Sequence, residues 1–307
     1  MKLIQTANEL GNGGRKVCLA IGVFDGVHLG HQQIIRQTVA GARQHDALAV
    51  VVTFDRHPNA IVAPDRVPPQ IYTHSQKMRA LAALDVDAVL EIPFNQSFSE
   101  KNGETFVREL ARDWGKIHSV CVGADFVFGY QRTGDVSLLR RLGGELHFLV
   151  QGLAAVALDG QPVSSTRIRE TIRTGDFDAA SQMLGRAYTL CGRVVAGDRI
   201  GRQLGFPTAN LEVQNLVLPP NGVYSATAQV AGQRYRVALN LGCRPTVAPA
   251  RPQLRVEAHL LDFQGGLYGQ ELELELEAKI RDERRFGSRE ELQQQIERDV
   301  AGVRGAE

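Results

Sequence analysis

The chain has 307 residues, 43% of them hydrophobic and 22% charged, an ordinary composition for a soluble globular protein that is long enough for two domains. Its 35 basic and 34 acidic side chains nearly cancel, which argues against a generally basic nucleic-acid binder. No apolar run reaches membrane-spanning length, the N-terminus lacks a secretory pattern, and the four cysteines lie far apart. We therefore expect a protein of the reducing cytoplasm, with no nucleic-acid or membrane partner.

The first part of the chain alternates strand and helix patterns. The run "ALAVVVTF" is apolar throughout, which is typical of a parallel strand buried on both faces. We predict strands at residues 17–23, 47–54, 88–92, 118–122 and 146–156. We predict helices at residues 32–44, 77–84, 104–114, 136–142, 164–173 and 177–184. Repeated strand–helix units of this kind predict an α/β doubly wound sheet.

The hydrophobic pattern changes to a period of two after about residue 185. In "ELELELEAKI" the apolar positions are predicted to share one face, and these are Leu272, Leu274, Leu276, Ala278 and Ile280. Two more strand-like runs, 222–230 and 234–242, flank a hairpin turn at residues 231–233. This half therefore predicts an antiparallel barrel or sandwich with one face exposed to water.

A single helix is predicted at the end of the chain. It runs from Ser288 to about residue 303, with Ser288 as the N-cap and Glu291 three residues later. We place the domain boundary at residues 184–188, which divides the chain into domains 1–185 and 186–307.

Two histidines follow the first predicted strand, in the segment "IGVFDGVHLGH". His28 and His31 are three residues apart, so both can face the N-terminus of the next helix, where N–H groups and the helix dipole bind anions. Gly30 lets the backbone approach a ligand closely. The two imidazoles can donate hydrogen bonds to phosphate oxygens as charge builds on a leaving pyrophosphate. Two surface histidines beside a turn are the alternative, but a pair directly after a buried strand favours a phosphate site.

A second helix start carries groups that suit polyphosphate. The segment "VSSTRIRETIR" offers the hydroxyls of Ser164, Ser165 and Thr166 and the guanidinium groups of Arg167 and Arg169. The alternative is an N-cap followed by solvated arginines. The two elements together are more specific than either one alone.

The motifs GVFDGVHLGH, TFDRHP, VGADFVFG and SSTRIR resemble, in this order, those of the bacterial FMN adenylyltransferase domain, which belongs to the HxGH nucleotidyltransferases. The resemblance covers about residues 15–184, with Arg56 of TFDRHP standing where we expect proline. It implies a Rossmann-like fold, transfer of AMP from ATP to FMN, and Mg²⁺ bridging the phosphates. It implies catalytic roles for His28, His31 and Arg169. It also implies nucleotide-binding or flavin-binding positions at Gly22, Phe24, Asp25, Gly26, Gly30, Gly123, Asp125, Phe128, Ser164, Ser165, Thr166 and Arg167.

The second half contains a glycine-rich segment, "GDRIGRQLGFPTAN". Its glycines, Gly197, Gly201 and Gly205, can cover phosphates, although this is no Walker sequence. In an extended chain Thr208 and Asn210 point to the same side, and their oxygens are hard ligands of the kind that Mg²⁺ accepts. A glycine-rich hairpin loop with two polar residues in a turn is the alternative.

The strand-like run "RVEAHLLDF" carries polar residues at alternate positions. Glu257 lies between Arg255 and His259 on one face, opposite the apolar face. A glutamate that points into a site can accept the proton of a hydroxyl nucleophile. The alternative is a glutamate exposed on a half-wet sheet.

The motifs GRQLGFPTAN, PPNGVYSA, NLGCRPT, VEAHLLDF, LYG and IRDERRF resemble the riboflavin kinase family in order and spacing, over about residues 186–301. The resemblance implies a small antiparallel six-stranded β-barrel with a C-terminal helix. It implies that Thr208 and Asn210 bind magnesium and the ATP phosphates, and that Glu257 is the general base on the 5′-hydroxyl of riboflavin. Arg281 and Phe286 are expected to close against the flavin.

Together the two resemblances imply a cytoplasmic bifunctional enzyme. It would phosphorylate riboflavin to FMN and adenylylate FMN to FAD, with ATP and Mg²⁺, and with small molecules as its partners and a possible homo-oligomeric state. One alternative is a transferase for another mononucleotide, such as nicotinamide mononucleotide or phosphopantetheine. The kinase half argues against it, because its product is the flavin acceptor. The other alternative is a flavin-binding or regulatory protein without turnover.

Overall fold

The computed structural model describes residues 1–11, 13–198, 200–244 and 253–305. The chain forms two compact units, one of Met1–Pro69 and His74–Ser165 and the other of Gln70–Thr73 and Thr166–Glu307. The predicted domain boundary at residues 185 and 186 stays a prediction. Among the described residues, no helix combines the length and the apolar character needed to cross a membrane.

The first unit is built on a six-stranded sheet whose neighbouring strands are all parallel. The strand order is β1-β4-β3-β2-β5-β6, so β2 and β5 are neighbours at the point where the order of the chain reverses. The edge strand β1 is too short to show a pattern, and the sequence did not predict it. The strands are β1 Lys2–Ile4, β2 Val17–Ile21, β3 Leu48–Phe54, β4 Ala88–Ile92, β5 Ile117–Gly123 and β6 Leu149–Leu153.

Helices cover both faces of this sheet, because alternate residues of each strand are apolar in both directions. Leu19 of β2 belongs to a core with Phe106 and Leu139, whereas Ala20 belongs to a second core with Ile35 and Leu81. The predicted doubly wound architecture is therefore confirmed. The helices of this unit are α1 Leu29–Gln44, α2 Asn59–Val62, α3 His74–Ala82, α4 Gln96–Ser99, α5 Gly103–Trp114 and α6 Val136–Leu146. Its smaller elements are the 3-10 turns Ala7–Leu10, Asp25–Val27, Pro64–Arg66 and Tyr130–Arg132, and the hairpin of β7 Ala157–Leu158 and β8 Gln161–Pro162.

The second unit contains a closed barrel of six antiparallel strands in the order β10-β13-β12-β11-β14-β9. The predicted six-stranded barrel with a C-terminal helix is confirmed. A two-residue turn at Ala231 and Gly232 joins β11 to β12, and both residues have positive φ angles, of 50° and 83°. The strands are β9 Thr189–Val195, β10 Ala209–Glu212, β11 Gly222–Val230, β12 Gln233–Arg244, β13 Gln253–Leu260 and β14 Glu271–Arg281. The helices are α7 Ser165–Thr174, which begins at the end of the first unit, α8 Phe177–Leu184, α9 Ile200–Gln203 and α10 Arg289–Gly305.

The predicted alternation along β14 is correct only for its first part. Leu272, Leu274 and Leu276 are buried, but Ala278 and Ile280 are exposed, so the prediction that all five share the core face is wrong. The register against β11 shifts between Ser225 and its neighbour, which leaves an extra residue on β14. The alternation with a period of two ends at this β-bulge, and the register shifts a second time between Val223 and Tyr224.

Helix α10 begins where Ser288 was predicted to cap it. The Glu291 N–H donates to Ser288 Oγ at 3.2 Å. The Glu291 carboxylate accepts from the Gly287 N–H at 2.8 Å, one residue before the position it takes in a standard capping box.

Candidate active sites

The first candidate site lies at the carboxyl ends of β2 and β5, where the strand order of the parallel sheet reverses. Loops that leave neighbouring strands in opposite directions open a crevice at such a point, and ligands of α/β sheets bind there. Gly22 follows β2 directly, and Gly123 is the last residue of β5. Two of the predicted binding segments, residues 22–31 and 123–129, therefore flank one crevice.

The loop between β2 and α1 is strained and held by side chains. Phe24 and Val27 have φ angles of 53° and 41°, a left-handed conformation that side chains rarely adopt. Both side chains are fully buried. Backbone strain at buried residues is typical of ligand sites that the surrounding structure fixes in place.

Three carbonyl groups of this loop accept hydrogen bonds from side chains of other elements. Thr53 Oγ1 donates to the Val23 carbonyl at 3.1 Å and Gln32 Nε2 donates to the Val27 carbonyl at 2.9 Å. Ser165 Oγ donates to the Asp25 carbonyl at 3.1 Å. Ser165, which the sequence predicted to bind phosphate, thus holds the loop in this structure. Its role toward nucleotide stays a prediction.

His28 and His31 lie together at the N-terminus of α1, as predicted. Their rings stack with centroids 3.5 Å apart. His28 is the N-cap, and its Nδ1 accepts a hydrogen bond from the His31 N–H at 3.4 Å. This nitrogen therefore carries no proton, so neutral His28 has its proton on Nε2. A methyl group on Gly30 would lie 3.3 Å from the His28 ring, which explains why a glycine stands there.

His31 is held in its neutral form. Burial lowers the pKa of its imidazole well below the usual value, and the nearby His28 and Lys77 lower it further. Its Nδ1 is buried and has no hydrogen-bond partner among the described residues. An unsatisfied buried polar atom is costly, and a ligand oxygen or a water molecule at this place would satisfy it.

Lys77 of α3 reaches the same loop, which the sequence did not predict. Its Nζ donates to Thr53 Oγ1 at 2.7 Å, next to the hydrogen bond that Thr53 makes to the loop. Burial lowers the pKa of the Lys77 ammonium to about 8, although Glu91, Asp25 and nearby Asp55 favour its charged form. In the sequence Lys77 is one polar residue of an amphipathic helix, so no local pattern marks it.

The segment after β5 has a different character. Asp125 is exposed, whereas Phe128 stacks on Phe126 and its ring would collide with a methyl group on Gly134. Phe128 therefore has a packing role, and its predicted contact with nucleotide or flavin stays a prediction. Gly26 has a positive φ of 76°, which fits its place in the strained loop.

The boundary between the two compact units falls within residues 164–169, the second segment predicted to bind phosphate. Ser164 and Ser165 belong to the first unit, and Thr166, Arg167 and Arg169 belong to the second. Arg169 is only 6% exposed, although an arginine on a helix is usually solvated. The predicted roles of these residues stay predictions.

Arg56 lies at the surface and pairs with its neighbour. Its guanidinium contacts the Asp55 carboxylate at 2.8 Å. Partial burial raises the pKa of Asp55, but the hydrogen bonds from Arg56 and from the Phe94 N–H outweigh it and lower the pKa overall. The loop is ordered with arginine at this position in place of the expected proline.

The second candidate site consists of two cavities in the barrel unit that share Thr208. One cavity, of about 340 Å³, is lined among others by Arg202, Phe263 and Tyr268. The other cavity, of about 320 Å³, is lined by Glu257 and by the apolar side chains of α10 and Phe286. We call them the first and the second barrel cavity. Two cavities that meet at one hydroxyl suit a reaction between two substrates.

The glycine-rich segment is packed against the two predicted metal ligands. A methyl group on Gly197 would lie 2.3–2.6 Å from the amide atoms of Asn210. One on Gly201 would lie 2.4 Å from the Phe206 carbonyl oxygen and 3.3 Å from Thr208 Oγ1. Only glycine allows this approach. Gly205 has a positive φ of 89° and ends the turn that follows α9.

Glu257 lies in a row of polar residues across three strands. Its register partners are Asn210 on β10 and Asn240 on β12, and cross-strand partners share one face of a sheet. Val256, Ala258 and Leu260 are buried, as the alternation predicted. Asn240 was missed, because its significance comes from strand register, which the sequence does not show.

Arg281 is engaged with the C-terminal helix. Its Nε and Nη2 donate to Asp299 of α10 at 2.7–3.0 Å, and Asp299 is buried. The Arg281 guanidinium also lies 5.8 Å from the centre of the Phe286 ring. All three residues line the second barrel cavity. The predicted contacts of Arg281 and Phe286 with flavin stay predictions.

Both halves of the chain are similar to known proteins. The FAD synthetase family model matches residues 12–167, and the riboflavin kinase family model matches residues 184–306. The bifunctional riboflavin kinase/FMN adenylyltransferase of Pseudomonas fluorescens is 36% identical over 304 residues, which cover 99% of this chain and 97% of that protein. The chain belongs to the bifunctional riboflavin kinase/FMN adenylyltransferase family.

Other relatives agree with this assignment. The bifunctional riboflavin kinase/FMN adenylyltransferase of Escherichia coli (strain K12) is 36% identical over 306 residues, covering 99% of this chain and 97% of its own length. A crystal structure from Streptococcus pneumoniae, of a protein named macrolide-efflux protein, superimposes with a TM-score of 0.85 and 26% identity over 99% of both chains. The Streptococcus pneumoniae structure thus contains both units of this fold in one chain.

Proposed function

We propose that the barrel unit transfers the terminal phosphoryl group of ATP to riboflavin, and that the sheet unit transfers AMP from a second ATP to the resulting FMN. The products are FMN and ADP in the first reaction, and FAD and pyrophosphate in the second. Membership of the family supports both activities. The positions of individual residues in the two units support the role that we assign to each of them.

The kinase assignment rests on the arrangement of the two barrel cavities. They share Thr208, while Glu257 lines only the second one. A general base is needed at the acceptor hydroxyl and not at the nucleotide. We therefore assign the second cavity to riboflavin and the first cavity to ATP. The phosphoryl group then passes beside Thr208, and the proton of the riboflavin 5′-hydroxyl moves to a Glu257 oxygen as the new phosphorus–oxygen bond forms.

A magnesium ion fits the donor set beside this junction, where Thr208 lines both cavities and Asn210 lies two residues further on, in β10. The described residues contain no cluster of three His, Cys, Asp or Glu side chains that could hold a metal. Mg²⁺ in kinases is commonly held by few protein oxygens together with substrate phosphates and water. Thr208 Oγ1 and the Asn210 amide oxygen, both covered by close-packed glycines, would hold it. A bound ion would supply neutralisation of the charge on the phosphates.

The adenylyl transfer needs no nucleophile from the protein, because the phosphate of FMN is itself anionic. Positioning and charge stabilisation then account for catalysis. His28 offers the N–H on Nε2, while neutral His31 can donate from only one of its nitrogens. We propose that both donate to the pyrophosphate as it leaves. We extend this role to Arg169 and the hydroxyls of Ser164 and Thr166 on the strength of the family resemblance alone.

We also propose a cytoplasmic location, with small molecules as the substrates. Cys18 and Cys121 support a reducing compartment. Both are buried, and burial raises the pKa of each thiol, which keeps it protonated.

One pair of variants tests the division of labour. Purified protein is incubated with riboflavin, ATP and Mg²⁺, and the flavins are separated by chromatography over time. FMN should appear first and FAD second. Glu257→Gln should lower FMN formation by about 10²–10⁴-fold, the usual contribution of a general base, and leave conversion of added FMN to FAD unchanged.

The reciprocal variant, His28→Ala, should depress FAD formation and leave FMN formation unchanged. Equal loss of both activities in either variant would contradict two separate sites. A wild-type protein that binds flavin and forms neither product would favour a binding protein.

A further inference from the structure

The polar row of β13 touches the glycine-rich segment at both of its ends. Arg255, Glu257 and His259 are half-buried and alternate with the buried residues of the strand. His259 Nδ1 lies 2.8 Å from the Pro207 carbonyl oxygen, just before Thr208. Because a carbonyl only accepts, this ring nitrogen carries the proton. At the other end, Arg255 Nη2 donates to the Asp198 carboxylate.

The Arg255 guanidinium has a second partner. Its Nη1 lies 3.5 Å from Glu257 Oε1, while Nη2 contacts Asp198. One planar cation thus joins the carboxylate at the start of the glycine-rich segment to the carboxylate assigned as the general base. The planar fork of arginine contacts the two carboxylates through two separate nitrogens in a fixed geometry, whereas lysine has only one nitrogen on a flexible stem.

The two ends of the segment are held by different means. At the Pro207 end the chain continues into β10, whose residues Ala209 and Asn210 pair with β13. The Asp198 end contacts β13 through a charged side chain that is 45% exposed. Strand β9 ends at Val195, which pairs with Asn210, and Asp198 lies three residues beyond it. The position of Asp198 therefore depends more on side-chain charge than the position of Thr208 does, since Thr208 directly precedes β10.

We propose that Arg255 is a positioning residue of the kinase site, which holds the beginning of the glycine-rich segment over Asn210 through Asp198 and orients the Glu257 carboxylate toward the riboflavin cavity. This inference rests on the proposed role of Glu257. Arg255 acts through these two carboxylates, so it makes two separable contributions. Because Asn210 is a proposed ligand of magnesium and the ATP phosphates, the tether to Asp198 affects the binding of ATP. The contact with Glu257 affects the chemical step.

The test separates these contributions by steady-state kinetics of FMN formation. Asp198→Asn keeps the shape of the side chain and removes its charge. It should raise the KM for ATP about five-fold, equivalent to roughly 1 kcal/mol, and change kcat less than two-fold. Arg255→Met should raise the KM for ATP by the same factor and also lower kcat about ten-fold, because Glu257 loses its partner.

A double variant tests whether the two residues act together. If Arg255 works through Asp198, the double variant Asp198→Asn/Arg255→Met should have the KM of Arg255→Met alone, because coupled residues are not additive. The exchange Asp198→Arg/Arg255→Asp should restore the KM for ATP but not kcat, since a carboxylate at position 255 repels Glu257. A purely structural role would not produce this split between KM and kcat.

Controls keep the outcomes distinct. Asp262→Asn removes the acid of an exposed ion pair with Arg304 in the same unit and should leave both kinetic constants unchanged. Conversion of added FMN to FAD and the quenching of riboflavin fluorescence on binding report that each unit is folded. Arg255→Met with wild-type constants, or additive effects in the double variant, would overturn the inference. Retention of FMN formation in Glu257→Gln would instead overturn the proposed general base.

Discussion

The close packing of Gly197 on Asn210 allows a direct test of the kinase site, because a single methyl group on Gly197 would displace a predicted metal ligand. In Gly197→Ala the new carbon would lie 2.4 Å from Asn210 Cγ and 2.3 Å from Nδ2. An ordinary contact between carbon atoms is about 3.5–4.0 Å, so the amide or the loop must move by about 1 Å. A misplacement of about 1 Å in a phosphoryl-transfer site can cost about 10²-fold in rate.

The assay compares two activities of one preparation. Gly197→Ala should lower kcat/KM for FMN formation about 10²-fold and leave FAD formation from added FMN within about two-fold of wild type. Gly302→Ala is the matched control, because Gly302 lies in α10 of the same unit and a methyl group on it would have no neighbouring atom within 4 Å. A folded Gly197→Ala protein with a wild-type kinase rate would refute the role of Asn210. Equal loss in Gly302→Ala would show that the loss in Gly197→Ala does not depend on the contact with Asn210.

Three further predictions concern titration and stability. His31 should remain neutral at pH 6, because burial lowers the pKa of its ring well below 6.5; nitrogen NMR of the imidazole checks this, and protonation near pH 6.5 would contradict it. The unfolding free energy of the wild type should rise relative to that of Lys77→Met as the pH rises from about 8 to 10.5, because in this range Lys77 is protonated in the unfolded chain and neutral in the folded protein. Urea unfolding at several pH values measures the difference in unfolding free energy between the two proteins. A difference that does not change with pH would be evidence against a buried amine. Asp299→Asn should lower the unfolding free energy of the barrel by about 3 kcal/mol, because it leaves the Arg281 guanidinium opposite a neutral amide. Asp262→Asn, in an exposed pair, should leave stability unchanged, and similar melting curves for both variants would show that burial of Asp299 has no energetic weight.

The fold was predictable where periodicity carries the information. Strands buried on both faces, such as 47–54, produce continuous apolar runs, and the leucines of β14 produce a period of two. The placement of His28 and His31 followed from the same reasoning, because a polar pair after a buried strand has to lie at its carboxyl end. Strand β1 was missed since three residues at a sheet edge form no period.

Other parts of the sites depend on information that the sequence does not display locally. The bulge that exposes Ala278 and Ile280 results from the pairing of β14 with β11, and the alternating sequence before it gives no sign of where the register shifts. Asn240 stands beside Glu257 only because β12 and β13 pair in one particular register. Lys77 reaches Thr53 from a helix 24 residues later in the chain, so only tertiary packing brings the amine to the loop.

Both sites need groups held in fixed positions around phosphate, and the two units hold these groups by different interactions. In the sheet unit the left-handed conformations of Phe24 and Val27 cost about 1–3 kcal/mol each. Burial of each side chain contributes about 1.5–3 kcal/mol, which offsets this strain, and the hydrogen bonds from Thr53, Gln32 and Ser165 add to the balance. The loop is therefore organised before nucleotide binds. In the barrel unit the strands fix Thr208, Asn210 and Glu257, but Asp198 holds the covering segment by charge. The contact that holds the covering segment should accordingly weaken with ionic strength more than the contacts that hold the loop of the sheet unit, because salt screens a half-exposed ion pair more than buried hydrogen bonds.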